Sequence, residues 1–89
     1  MKHPERIIEE ETPFETGERS TYLRYDAVEE MLRGQVKGFN DQAIKDGEKN
    51  RQKLEELGFE VSEKLNEVAD LVARMWKISE PHMKSEDKL

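Results

Sequence analysis

The chain has no cysteine, which removes disulfide frameworks and thiolate metal sites from consideration. It also has no apolar run of the roughly 18 residues that mark a membrane-spanning helix. The start, MKHPERIIEEE, lacks the apolar core of a secretory signal, and its acidic run is foreign to a transit peptide. An intracellular, cytoplasmic location is the expectation. Histidine is scarce too: His3 and His82 are the only two, and neither has the paired spacing that a zinc site needs. No phosphate-binding glycine loop and no calcium loop is present. No metal and no cofactor is expected.

Apolar residues are in short supply. They make up 34% of 89 residues, and charged residues make up 40%, against about 45–50% and about 25% in an ordinary soluble domain. A chain of this size forms one domain at most, and a single compact core is hard to build from it. Catalysis suffers from the same shortage. Carboxylate pairs such as Glu29 with Glu30 and Glu55 with Glu56 are common, but an acid–base pair needs a desolvated pocket to separate its pKa values. Ser20, Ser62, Ser79 and Ser85 show no paired base. The sequence therefore reads as non-enzymatic.

The formal net charge is −6, which opposes direct binding to phosphate backbones. The one basic cluster, Lys45, Lys49, Arg51 and Lys53, is interrupted by Asp46 and Glu48. It reads as a solvated helix face or loop, and no nucleic-acid partner is expected.

What the chain does have is helical periodicity. Val61, Leu65, Val68, Val72 and Met75 follow one another at steps of four, three, four and three, the rhythm of a helix packed along another helix. Leu54 and Leu57 extend the face backwards through Gly58, and Pro81 stops the helix. Strict spacing holds only from Val61 to Met75, a face about 20 Å long. That suits one seam of a small bundle better than a long coiled coil. Trp76 closes the stripe and reads either as core at the end of a hairpin or as an interface anchor.

Upstream, Val28, Met31, Leu32, Val36 and Phe39 place a second apolar face at helical spacing. It begins either at Asp26, with Glu29 as a capping-box partner, or at Ser20 or Thr21. Gly34 and Gly38 allow a close approach by another helix, and the sequence admits either a break near residues 38–41 or a helix that runs through. Residues 45–53 hold no apolar side chain. A connection within about residues 45–50 makes the two helices an antiparallel hairpin.

The expected organisation is all-α: an extended or disordered acidic arm over residues 1–21, a helical hairpin over 22–80, and a flexible tail over 81–89. Pro4, Pro13 and Gly17 argue against helix across the arm. Glu15-Thr16-Gly17-Glu18 reads as a polar turn with two carboxylates, and it is similar to the degron bound by Kelch-propeller ubiquitin-ligase adaptors. KLEELGFEVSEKLNE resembles a helical segment of transport-particle subunits at Leu54, Leu57, Gly58, Phe59, Leu65 and Glu67. A generic amphipathic helix with one glycine has the same pattern, and no family is assigned on it.

Two functions fit. The first is a helical protein–protein interaction module, or a small subunit or adaptor of a larger complex. It would complete a bundle with a protein partner or as a homo-oligomer through Val61, Leu65, Val68, Val72, Met75 and Trp76. The second is a small acidic inhibitor or regulator, antitoxin-like or phage-encoded, that blocks a basic surface of its target.

Overall fold

The computed structural model describes residues 3–83. Three helices follow in order: α1, Pro13–Ser20; α2, Tyr25–Glu48; and α3, Gln52–Ser79, with a 3-10 turn at Glu80–His82. Helices α2 and α3 form the antiparallel hairpin, and their pairing dominates the tertiary structure. Contacts between them run in opposite directions along the two chains. Arg24 meets Trp76, Arg33 meets Asn66, Val36 meets Ser62, and Ala43 meets Gly58.

The connection is shorter than the apolar gap in the sequence suggests. Helix α2 continues through Asp46 and Gly47, leaving only Lys49–Arg51 between the helices. Asn50 takes a left-handed backbone, φ 59°, which asparagine tolerates better than most residues. The Arg51 amide donates to the Asp46 carbonyl (2.9 Å) and the Asn50 amide to Gly47 (3.0 Å). These are the two bonds of a Schellman cap, which satisfy carbonyls that a helix end leaves open. The Arg51 carbonyl then accepts from the Glu55 amide (2.9 Å), so the first turn of α3 begins as the cap ends.

Helix α2 starts at Tyr25, between the two starts that the sequence allows. Asp26 lies in its first turn, where its carboxylate accepts from the Ala27 amide (2.9 Å) and is gripped by the Arg24 guanidinium (2.9 and 3.0 Å). A carboxylate there also faces the positive end of the helix dipole. The helix runs through Gly34 and Gly38 without a break, and α3 likewise runs through Gly58.

Within the stretch expected to be an extended or disordered arm, Pro13–Ser20 is helical. Proline stands at the first helical position, where its missing N–H costs nothing. Thr12 caps the end. Its hydroxyl accepts from the Glu15 amide (3.1 Å), while the Glu15 carboxylate accepts from the Thr12 amide (3.0 Å). This reciprocal capping box outweighs Gly17 inside the helix. Glu15-Thr16-Gly17-Glu18 is thus part of α1 and not the expected turn. Of the expected tail, Pro81 and His82 belong to the 3-10 turn, and residues 84–89 lie outside the described residues.

Small residues line the hairpin's inner seam. Ala43, Ser62 and Ala69 are buried, and among the described residues no large side chain is fully buried. A Cβ placed on Gly58 would lie 2.9 Å from the Ala43 Cβ, closer than carbon atoms pack. The backbones therefore meet through glycine and alanine. The Ser62 hydroxyl enters the seam without stranding its polar atom, because it donates to the Val36 carbonyl (3.3 Å).

The molecule measures 51 × 31 × 16 Å, with a radius of gyration of 15.9 Å. A compact chain of this length has a radius near 12 Å. The short dimension is little more than one helix thick, so the hairpin is a single layer, whereas a stable core needs two.

Substitutions at the glycines separate the seam from the open surface. Gly58→Val should destabilise the hairpin by about 1–3 kcal/mol through overpacking. Gly34→Ala and Gly38→Ala, where an added Cβ meets nothing within 4 Å, should stabilise it by about 0.5–1 kcal/mol each. Urea unfolding followed by circular dichroism measures both, and equal effects at the three sites would refute the seam. The capping box predicts a pH dependence for α1. Hydrogen bonds from the Thr12 backbone and side chain lower the Glu15 pKa below the ordinary carboxylate value. A lowered folded-state pKa stabilises the helix above the unfolded-state pKa, and that stability is lost as pH falls through the folded value. Carbon chemical shifts of residues 13–20 should lose helical character on acidification, and Thr12→Ala should remove this dependence on Glu15.

Candidate interaction surface

The hairpin has two unlike sides. On one, Arg33 reaches across from α2. Its guanidinium donates to Asn66 Oδ1 (2.6 Å), Asp70 (2.8 Å) and, on its own helix, Glu29 (2.9 Å). Bonds to Asp70 and then Glu29 hold the Arg33 pKa above its ordinary value. The planar fork of arginine suits such a three-way clamp. All four residues remain accessible to solvent, so the clamp sets alignment more than it adds stability.

The other side is apolar and open. Helix α3 carries a second row of residues, each one position before a residue of the inner seam: Leu54, Leu57, Val61, Lys64, Val68, Leu71, Met75 and Ile78. They keep a strict three–four alternation over eight positions. The seven apolar ones are all exposed. A groove of about 290 Å³ is lined by Leu57, Val61, Leu65 and Val68 with the stems of Glu60 and Lys64. A second hollow continues it towards the turn, where Phe39 of α2 faces Leu54, Leu57 and Val61. The stripe rises about 36 Å along α3.

The residues singled out by periodicity divide between the two faces. Leu65, Val72 and Trp76 are half-buried and lie, by helical position, in the row that meets α2 at Gly58, Ser62 and Ala69. Val61, Val68 and Met75 are 38%, 44% and 44% exposed, on the outward row. The structure thus does not gather all six into one seam. Sequence reasoning missed Ser62 and Ala69, which are 4% and 0% exposed. Their signal was available as small residues repeating in the same rhythm as Gly58, one position out of step with the apolar stripe. It also missed Leu71 and Ile78, which complete the outward row.

Trp76 sits where the start of α2 meets the end of α3. The Arg24 guanidinium lies over its ring, 5.5 Å from the centroid, within the range of a cation–π contact. The same guanidinium holds Asp26, so one arginine ties the indole to the first turn of α2. The N-terminal segment lies elsewhere. Pro4, Ile7, Thr16 and Gly17 border a hollow against Met31 and Gln35 of α2.

No helix among the described residues is long and apolar enough to cross a membrane. Among the same residues no group of three or more potential metal ligands comes together, and no side-chain polar atom is buried without a partner. No family model matches the chain, and neither a curated protein nor a solved structure matches it.

The two faces predict opposite outcomes for neighbouring substitutions. Ala69→Asp places an unpaired carboxylate in the closed seam and should collapse the hairpin, with loss of helical circular dichroism. Val68→Asp, on the outward face, should leave the helical signal of the isolated hairpin nearly unchanged. Equal loss at both positions would mean that the two rows are not distinct.

Proposed function

We propose that the protein is a non-enzymatic helical interaction module that works by docking the outward face of α3 on a second helical surface. The observation that carries this reading is the eight-position stripe of α3: seven exposed apolar side chains in unbroken helical register, continuous with the hollow beside Phe39. Isolated apolar residues on a surface mean little, but a contiguous row of them marks an interaction site. The hairpin also needs such a contact. Among the described residues its inner seam fully buries only Ala43, Ser62 and Ala69 and leaves Leu65, Val72 and Trp76 half-buried, and each large apolar side chain covered by a partner would contribute about 1.5–3 kcal/mol.

The stripe also favours hydrophobic docking over a purely charge-driven mode, the acidic-inhibitor alternative. Salt separates the two, because exposed charge pairs are screened at high ionic strength whereas apolar contacts persist. The test is recovery of tagged protein from its host, wild type beside Val68→Asp, with washes at low and high salt. The expected result is a bound protein, or a self-associated form, that survives the salt wash and is lost in Val68→Asp. Association that dissolves in salt and ignores Val68→Asp would sink this reading in favour of the acidic one.

A further inference from the structure

We infer that the surface covering the α3 stripe is the same stripe of a second copy of this chain, packed antiparallel about an axis near residues 64–68. This rests on the docking reading above and names the occupant.

Geometry comes first. The outward row is the α2-facing row moved by one residue, about 100° around the helix. A second α3 on that row and α2 on the inner row would stand at adjacent corners of a square, the arrangement of a four-helix bundle. α2 has no comparable row, its exposed large apolar residues being Tyr25, Met31, Phe39 and Ile44, so α3 presents the longer apolar face.

The row is also complementary to itself. One antiparallel register sets Leu54 opposite Ile78 of the second copy, Leu57 opposite Met75, Val61 opposite Leu71, and Lys64 opposite Val68. Every apolar position then meets an apolar position, apart from the two Lys64–Val68 layers at the centre. At the centre, the two Lys64 side chains enter the space of the two Glu67 carboxylates that flank the seam, two cations against two anions. Further out, Glu60 faces Arg74 of the second copy. Competing alignments lose these pairs. Sliding the copies by one heptad in one direction brings Glu60 to Glu67 and Lys53 to Arg74, like charge on like, and in the other direction it carries Leu54 and Leu57 past Ile78, where they lose their apolar partners. A parallel pairing stacks Lys64 on Lys64. Flanking charges of this kind set orientation and register in packed helices.

The test uses the full chain, whose lack of cysteine makes introduced thiols unique. Light scattering at micromolar concentration should give twice 10.5 kDa. Under mild oxidation, a mixture of Leu54→Cys and Ile78→Cys should form the mixed disulfide, neither variant should cross-link to itself, and Glu67→Cys should. Lys64→Glu should weaken the dimer by about tenfold or more through like-charge contact, and adding Glu67→Lys should restore it, with helical circular dichroism unchanged throughout. A monomer that captures a different protein through Val68 would overturn the second copy and leave the docking reading standing. A monomer with no Val68-dependent association would sink both. A dimer in which Leu54→Cys cross-links to itself would overturn the antiparallel register.

Discussion

The contact between Gly58 and Ala43 sets the terms for the rest of the molecule. Two helices whose backbones meet through glycine and alanine come close together there, and among the described residues no large side chain is fully buried between them. Ser62 and Ala69 continue that tight line along α3. Close approach gains dispersion contacts between backbones, but it gives up the large hydrophobic burial on which small domains rely. Leu65, Val72 and Trp76 are half-buried beside that line, while the exposed apolar row of α3 is turned away from α2 and leaves the side of the hairpin opposite the Arg33 clamp open.

Polar contacts support this arrangement without replacing it. The Arg33 clamp joins Glu29, Asn66 and Asp70 on the solvated side. Arg24 joins Asp26 and Trp76 where the helix ends meet. Both are arginine forks with solvent access, suited to aligning helices and weak as sources of stability. What they do is orient the molecule: one side is stitched and polar, and the other is left apolar.

Much of the hairpin could be read from residue order. The apolar faces of α2 and α3, the end of α3 before Pro81 and the presence of a connection in the apolar gap follow from spacing and from helix-breaking residues, while Asp46 and Gly47 do not end α2 and the connection is Lys49–Arg51. The faces themselves were harder to resolve. A hydrophobic stripe advertises large residues, and the positions that meet α2 most closely are Gly58, Ser62 and Ala69, which carry no such signal. Because the two rows differ by one residue, a search by periodicity takes Leu65 and Val72 from one and Val61, Val68 and Met75 from the other. The missed helix α1 has a different cause. Pro13 reads as a breaker until it is placed at the first position after Thr12, where the same ring begins a helix. What covers the outward row lies outside any single chain's pattern, except insofar as that row complements itself.

The three-residue turn at Lys49–Arg51 then acts as a selector between two ways of folding the same helix. With Asn50 left-handed and both Schellman bonds made, the phase of α3 is fixed so that Gly58, Ser62 and Ala69 point at α2. One more residue in that turn would advance α3 by about 100° and bring the row of Leu57, Val61 and Val68 to face α2 instead. Such a chain would have a conventional core, and the small-residue row would face outwards. The length of this turn thus goes with an exposed apolar row on the outside of the hairpin.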